Sequence, residues 1–167
     1  MQEIILVKYG EMALKGMNKK TFEDILVKNM KRRLKPLGKC EITKAQSTVY
    51  IKPIDDEFDI NEAVERLKKV FGIAALCRAA VCEKNFKDIS LISCEYLNDI
   101  LSYAKTFKVN AKRADKNFPM KSPEICSELG GVLLEKFPHL KVDVNSPDIT
   151  VTVEIRDIRT GISVSAR

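Results

Sequence analysis

The stretch Thr21–Pro53, TFEDILVKNMKRRLKPLGKCEITKAQSTVYIKP, changes its hydrophobic period halfway along, and that change decides how the N-terminal region is read. Phe22, Ile25, Leu26, Met30 and Leu34 recur three and four residues apart, the spacing of one helical face. Thr21 and Asp24 have the spacing of a capping box, which predicts that the helix opens there. Lys28, Lys31, Arg32 and Lys35 lie mostly on the opposite side, so the predicted helix shows water a basic face. Pro36-Leu37-Gly38 then stops it, because proline cannot continue the helical hydrogen bonding. Two short strands are predicted beyond, at residues 40–45 and 48–52, joined at Gln46-Ser47 and closed by Pro53.

Upstream, residues 3–9 form an apolar run with strand character. Downstream, the acidic loop Asp55-Asp56-Glu57 precedes a second helix carrying Ile60, Ala63, Val64, Leu67 and Val70 at helical spacing. Gly72 ends that helix, and Ile73–Cys82 reads as a fourth strand. The order is β-α-β-β-α-β, the ferredoxin-like arrangement, in which two helices cover one face of an antiparallel sheet. Residues 1–83 are therefore expected to form one domain.

Residues 84–167 read differently. Ile89, Ile92, Tyr96, Ile100 and Tyr103 predict one helix, and residues 107–111 a strand. A polar, basic connection, Lys112 to Pro119, leads to a helix start in which Ser122 is the expected N-cap, Pro123 the first helical residue and Glu124 an acid of the first turn. Leu129, Val132, Leu133 and Phe137 supply its buried face, and strands follow at 141–144, 149–155 and 162–165. The fold class is α+β, a ferredoxin-like domain followed by an α/β domain.

Composition is that of an ordinary globular chain: 167 residues, 45% hydrophobic and 31% charged, enough for one large domain or two small ones. No run approaches the ~18 apolar residues that cross a bilayer. Met1–Val7 lacks a basic n-region and reads as a strand rather than a signal peptide, so a cytoplasmic location without membrane association is expected. The five cysteines, at 40, 77, 82, 94 and 126, are odd in number and include no Cys-x-x-Cys pair, a pattern of reduced core thiols. His139 is the only histidine and sits beside Pro138 as a loop residue. Neither Gly-x-x-x-x-Gly-Lys-Ser/Thr nor Gly-x-Gly-x-x-Gly occurs. Gly130-Gly131 falls inside a helical pattern and is expected to serve close helix packing. Glu124 and Glu128 read as surface charge, and no set of residues supplies nucleophile, base and orienter. No catalytic or metal-binding residue and no cofactor is assigned to this chain.

The net charge of +6 is unevenly spread. Lys8–Lys39 carries +7 and Lys105–Lys121 carries +5, leaving −6 for the rest. Two basic zones on an otherwise acidic chain form a footprint for a polyanion. In the second zone Lys112, Arg113, Lys116 and Lys121 crowd one strand-to-helix connection, where cations neutralise phosphates and a helix N-terminus donates amides. Phe118, among them, has two readings: a ring that stacks on an unpaired base, or a staple in the core. In the first zone Lys15, Lys19 and Lys20 surround Gly10, Gly16 and Asn18 between strand and helix, and Arg32 is a further candidate. The same charge pattern would suit an acidic protein partner.

At these segments the sequence resembles a known family. Lys8-Tyr9-Gly10-Glu11, Leu14-Lys15-Gly16, Asn18 and Phe22-Glu23 resemble the opening of the ThiI family, the tRNA 4-thiouridine synthetases. Phe107-Lys108-Val109, Lys112-Arg113, Phe118, Ser122, Glu124, Leu129-Gly130, Val142-Asp143 and Pro147-Asp148 resemble a THUMP domain, a module that also accompanies other tRNA-modifying activities such as methylation. The resemblance implies a ferredoxin-like domain over 1–83, a THUMP RNA-binding domain over 84–167, and tRNA held by its acceptor stem and 3′ end. It further implies a parent enzyme whose separate pyrophosphatase-loop domain uses ATP and Mg²⁺ to activate the uridine at position eight. A cysteine desulfurase supplies sulfur there, some members serve thiamine synthesis, and a homodimer is compatible. The Ser-Gly-Gly-x-Asp-Ser motif of the ATP domain is missing from this chain, which ends on a strand run about where that domain would begin. Catalysis is therefore not expected of these residues alone.

Overall fold

The computed structural model describes residues 1–10, 18–45, 47–156 and 162–167. The chain divides into two compact units, Glu3–Arg78 and Ala79–Arg167, the latter joined by Met1–Gln2.

The first unit contains β1 (Glu3–Tyr9), α1 (Lys19–Leu34), a 3-10 turn (Lys35–Leu37), β2 (Cys40–Ala45), β3 (Thr48–Pro53), α2 (Ile60–Leu67) and the beginning of β4 (Ile73–Cys82). Strand order is β2-β3-β1-β4, with β3 antiparallel to both of its neighbours. Alternation along each strand turns Ile5, Val7 and Tyr9, with Val49 and Ile51 opposite them, onto one face. Phe22, Leu26, Met30 and Leu34 of α1 and Ala63 and Leu67 of α2 pack there, so both helices share one side of the sheet. Each fully buried Leu or Ile contributes roughly 1.5–3 kcal/mol by leaving water.

Three local expectations shift. The cap of α1 is Asn18, whose side chain accepts from Thr21 N at 2.8 Å, so the helix starts three residues before the capping-box reading placed it. Ile25 is 45% exposed, because a 16-residue helix lying on a sheet buries only the stripe spaced by four. α2 stops at Leu67, and Val70 reaches the core from the following turn. Gly72 then takes φ 98°, a conformation that side chains disfavour.

The second unit completes β4 and adds α3 (Phe86–Tyr96), α4 (Asn98–Tyr103), β5 (Thr106–Arg113), α5 (Ser122–Lys136), β6 (Lys141–Val142), β7 (Ile149–Ile155) and β8 (Ile162–Ala166). Strand order is β4-β8-β7-β5-β6; β5 runs parallel to β6 and β7, and β8 antiparallel to β7 and β4. Phe107, Val151, Val153, Ile155, Ile162 and Val164 line one sheet face, against Ile125, Leu129 and Leu133 of α5. Asp148 ties the bottom of β5 to that of β7: its Oδ2 accepts from Lys105 N at 2.9 Å and its N donates to Thr106 Oγ1 at 2.9 Å.

The single helix expected over 89–103 is two. The chain kinks at Leu97 (φ −94°, ψ 7°), and Ile89, Ser93, Leu97 and Leu101 form the buried edge in place of the predicted Ile100 and Tyr103. Tyr103 is 91% exposed. The strand expected at 141–144 shrinks to Lys141–Val142 on the sheet edge, since Asp143 Oδ1 turns the chain by accepting from Asn145 N and Ser146 N. Gly130 and Gly131 do not serve close packing. A Cβ built at either meets nothing within 4 Å.

Candidate nucleic-acid interface

β5 alternates Phe107, Val109 and Ala111 toward the core with Lys108, Asn110 and Lys112 on the other face. Lys112 stands opposite Glu154 of β7, but the carboxylate is already met: Arg156 Nη1 donates to Glu154 Oε2 at 3.2 Å and to Ser163 Oγ at 2.7 Å, with all three residues buried. Pairing and hydrogen bonding lower the cost of burying a charge. Lys112 is left exposed, with no ion pair among the described residues.

The connection after β5 is built rather than slack. Ala114 N donates to Ile155 O at 2.8 Å, which carries the chain one step beyond the strand. Arg113 Nη2 donates to Lys116 O at 2.7 Å and to Phe118 O at 3.1 Å, closing the turn from inside. Asp115 Oδ1 accepts from Asn117 N at 2.9 Å, and its Oδ2 accepts from Lys84 Nζ. The Lys84 hydrogen bond, seconded by Asn117 N, holds the Asp115 carboxyl below its ordinary value. Phe118 is 5% exposed within the core.

These contacts sort the expected residues. Lys112, Lys116 and Lys121 are exposed, and none has an ion-pair partner among the described residues. Arg113 departs from the expectation: part of its guanidinium braces the turn, and Nε is buried without a hydrogen-bond partner among the described residues. Phe118 must be corrected. Its ring belongs to the core and cannot stack on a base from there, because the Arg113 brace and the Phe118 backbone aim the side chain inward. The N-cap of α5 is Lys121 rather than Ser122, which is the first helical residue, and no side chain caps that end. The uncapped amides of a 15-residue helix thus lie beside Lys121, a setting that favours a phosphate. Lys84, 31 residues from Asp115 in sequence, was missed; nothing local in the sequence signals that pair.

In the other basic zone, Lys19 and Lys20 are exposed in the first turn of α1, which contains no acid. Cations there oppose the helix dipole by roughly 0.3–1 kcal/mol each, so stability of the helix does not explain them. Lys19 Nζ lies 3.8 Å from Glu23, whose Oε1 also accepts from the Tyr9 hydroxyl at 2.7 Å; burial first, then Glu23, pushes the Tyr9 pKa up. Arg32 is exposed farther along α1. Lys15 lies outside the described residues. The two zones fall in different units.

All five cysteines are free, and burial pushes up the thiols of Cys40, Cys82, Cys94 and Cys126, Cys82 to about 12. His139 Nε2 lies 3.0 Å from Leu101 O, where it ties a loop to α4. Among the described residues, no three His, Cys, Asp or Glu gather as metal ligands, and no helix is long and apolar enough to cross a membrane.

Comparison with known proteins agrees with this architecture. Residues 4–77 match the family described as the ThiI ferredoxin-like domain, and residues 83–165 match the THUMP domain. A probable tRNA sulfurtransferase of Acetivibrio thermocellus is 44% identical over 159 residues, which are 94% of this chain and 41% of that protein. The solved structure of a 4-thiouridine synthetase in complex with RNA and bound ATP superposes with a TM-score of 0.81 at 31% identity, covering 100% of this chain and 41% of the other. A Pyrococcus horikoshii protein of known structure gives a TM-score of 0.77 at 26% identity over 99% of this chain and 53% of its own. The chain thus spans about two fifths of the length of the curated relative it matches. The chain therefore carries a ThiI ferredoxin-like domain followed by a THUMP domain.

Proposed function

We propose that this chain is the tRNA-gripping part of a tRNA uridine-thiolation enzyme, holding the acceptor stem and 3′ end so that the uridine at position eight reaches a separate catalytic domain. The observation that carries the reading is the braced turn after β5. It holds Lys116 in the turn and Lys121 at the uncapped start of α5, while Lys112 is exposed on the opposite face of β5, and none of the three has an acidic partner among the described residues. Cations and helix amides around a hydrogen-bonded turn suit phosphates, and a turn already held in shape lowers the ordering cost of binding. In the other unit, Lys19 and Lys20, with Lys15 and the weaker Arg32, are further candidates for RNA contact.

The residues present do not compose a phosphate loop or a Mg²⁺ site: the one glycine pair is in the middle of α5, and no acidic ligand cluster occurs among the described residues. ATP and Mg²⁺, which would activate the uridine oxygen, and a cysteine desulfurase, which would deliver sulfur, are assigned to the parent enzyme, and no step through them is placed on this chain. A role in thiamine synthesis and a cytoplasmic location belong to the same reading.

The test is fluorescence anisotropy of the 167-residue chain with full-length tRNA and with tRNA lacking its 3′ single strand, across a salt series. Tight, salt-sensitive binding that weakens on trimming is expected. Equal, feeble binding to both would refute the acceptor-end grip and favour an acidic protein partner.

A further inference from the structure

A cavity of about 570 Å³ opens where α1 ends and β2 begins, within the first unit. Its volume falls in the ~300–1,000 Å³ span of small-molecule sites. Lys31 and Lys35, one helical turn apart, line it together with Lys39, which follows the Gly38 turn. The one acid in the lining is Asp55, whose Oδ2 is engaged by Lys39 N at 2.7 Å. None of the three lysines has an ion-pair partner among the described residues, whereas Lys19, Lys44, Lys68 and Lys84 all do. Ile42 and Ile54 form the apolar part of the lining, and Ile54 is 59% exposed.

A structural reason covers only part of this. Cations in the last turn of a helix complement its dipole, which accounts for Lys31 and partly for Lys35. Lys39 lies beyond the helix, past a glycine held at φ 127°. At Gly38 an added Cβ would come within 2.9 Å of Asp55 Oδ2, so the backbone itself is shaped to bring Lys39 and Asp55 together. Ile54, exposed in the lining, gives the cavity an apolar wall in addition to its three lysines.

We propose that this cavity is a nucleotide subsite: it takes one nucleotide of the bound RNA, its flanking phosphates on Lys31, Lys35 and Lys39 and its base against Ile42 and Ile54. The assignment rests on the RNA-binding reading and adds a place where the ferredoxin-like unit itself holds RNA. A free mononucleotide shares the same chemistry, and the test separates the two sources. Cys40 lines the cavity and is a built-in reporter; its thiol is pushed up by burial and drawn back by Lys31.

The test compares tRNA binding by the wild-type chain, a K31Q/K35Q/K39Q variant and a K112Q/K116Q/K121Q variant over a salt series, with circular dichroism confirming the folds. Cys40 alkylation is followed by peptide mass spectrometry with tRNA, with AMP and with neither. Two lost phosphate contacts should lower the log–log salt slope of K31Q/K35Q/K39Q by about 1.4–1.8, and tRNA should slow Cys40 alkylation in the wild type. If the wild type binds tRNA and K112Q/K116Q/K121Q weakens it, but K31Q/K35Q/K39Q keeps the full slope, the cavity is no RNA subsite while the grip stands. Protection of Cys40 by AMP but not by tRNA would overturn the assignment in favour of a free-nucleotide site. Absence of tRNA binding by the wild type would sink the RNA reading and the subsite together.

Discussion

Arg113 separates two roles that a charge count merges, and substituting it tests the turn directly. Its Nη2 group holds two carbonyls, those of Lys116 at 2.7 Å and Phe118 at 3.1 Å. Hydrogen bonds from a charged donor contribute ~1.5–3 kcal/mol each when shielded. The Lys116 end is exposed to water and the Phe118 end only partly buried, so the pair together is worth about 1–3 kcal/mol. Arg113→Lys retains the charge but loses the planar fork that reaches both carbonyls. If Arg113 is a brace, the lysine variant should lose about 1–2 kcal/mol in urea unfolding. Its tRNA affinity should fall several-fold through a slacker turn, with the salt slope unchanged. Lys112→Ala should do the opposite, with stability within about 0.5 kcal/mol and a slope reduced by about 0.7–0.9. The reasoning is refuted if Arg113→Lys is as stable as the wild type and Arg113→Ala lowers the slope by a full contact, since Arg113 would then hold a phosphate and not the turn.

Phe118→Ala should cost about 3–5 kcal/mol in denaturant unfolding, whereas Phe118→Leu, which keeps an apolar filling, should retain tRNA affinity; a stable Phe118→Leu with strongly weakened binding would restore the stacking role. Gly131→Ala should raise stability by about 0.5–1 kcal/mol, because nothing crowds the new methyl and the unfolded chain loses freedom; a lower melting temperature would show an unseen packing demand. Cys82, with its pKa raised from 9.0 to about 12 by burial first and Asp88 second, favours the folded state as the neutral thiol. That contribution is complete below about pH 9 and is lost as pH rises through about 12. Between those values Cys82→Ala should lose less stability than the wild type, by at most ~4 kcal/mol. Parallel curves for the two proteins in alkaline urea titrations would count against it.

Much of the architecture follows from local pattern, and so could be read from the chain alone. The apolar run at 3–9, the four-residue stripe of α1 and the paired strands on either side of residue 46 point to β-α-β-β-α-β, because each element has apolar residues that must leave water. The basic clusters, the lack of nucleotide-binding loops and the family's opening residues are also properties of sequence. Tertiary packing decided the rest. Whether Phe118 turned out to a base or in to the core depended on where Arg113 pinned the turn, a contact between side chain and carbonyls that has no periodicity. Across the kink at Leu97 the buried edge is Ile89, Ser93, Leu97 and Leu101, and a sequence apolar on several sides cannot say which edge is buried. Lys31 and Lys35 belong in sequence to a solvated helix face and Lys39 to the loop beyond it; the positive φ of Gly38 and the reach of Asp55 make all three walls of one cavity. Periodicity records which side of an element avoids water; only the assembled backbone determines which charges share a site, since distance in space is set by turns whose geometry depends on partners far away in the chain.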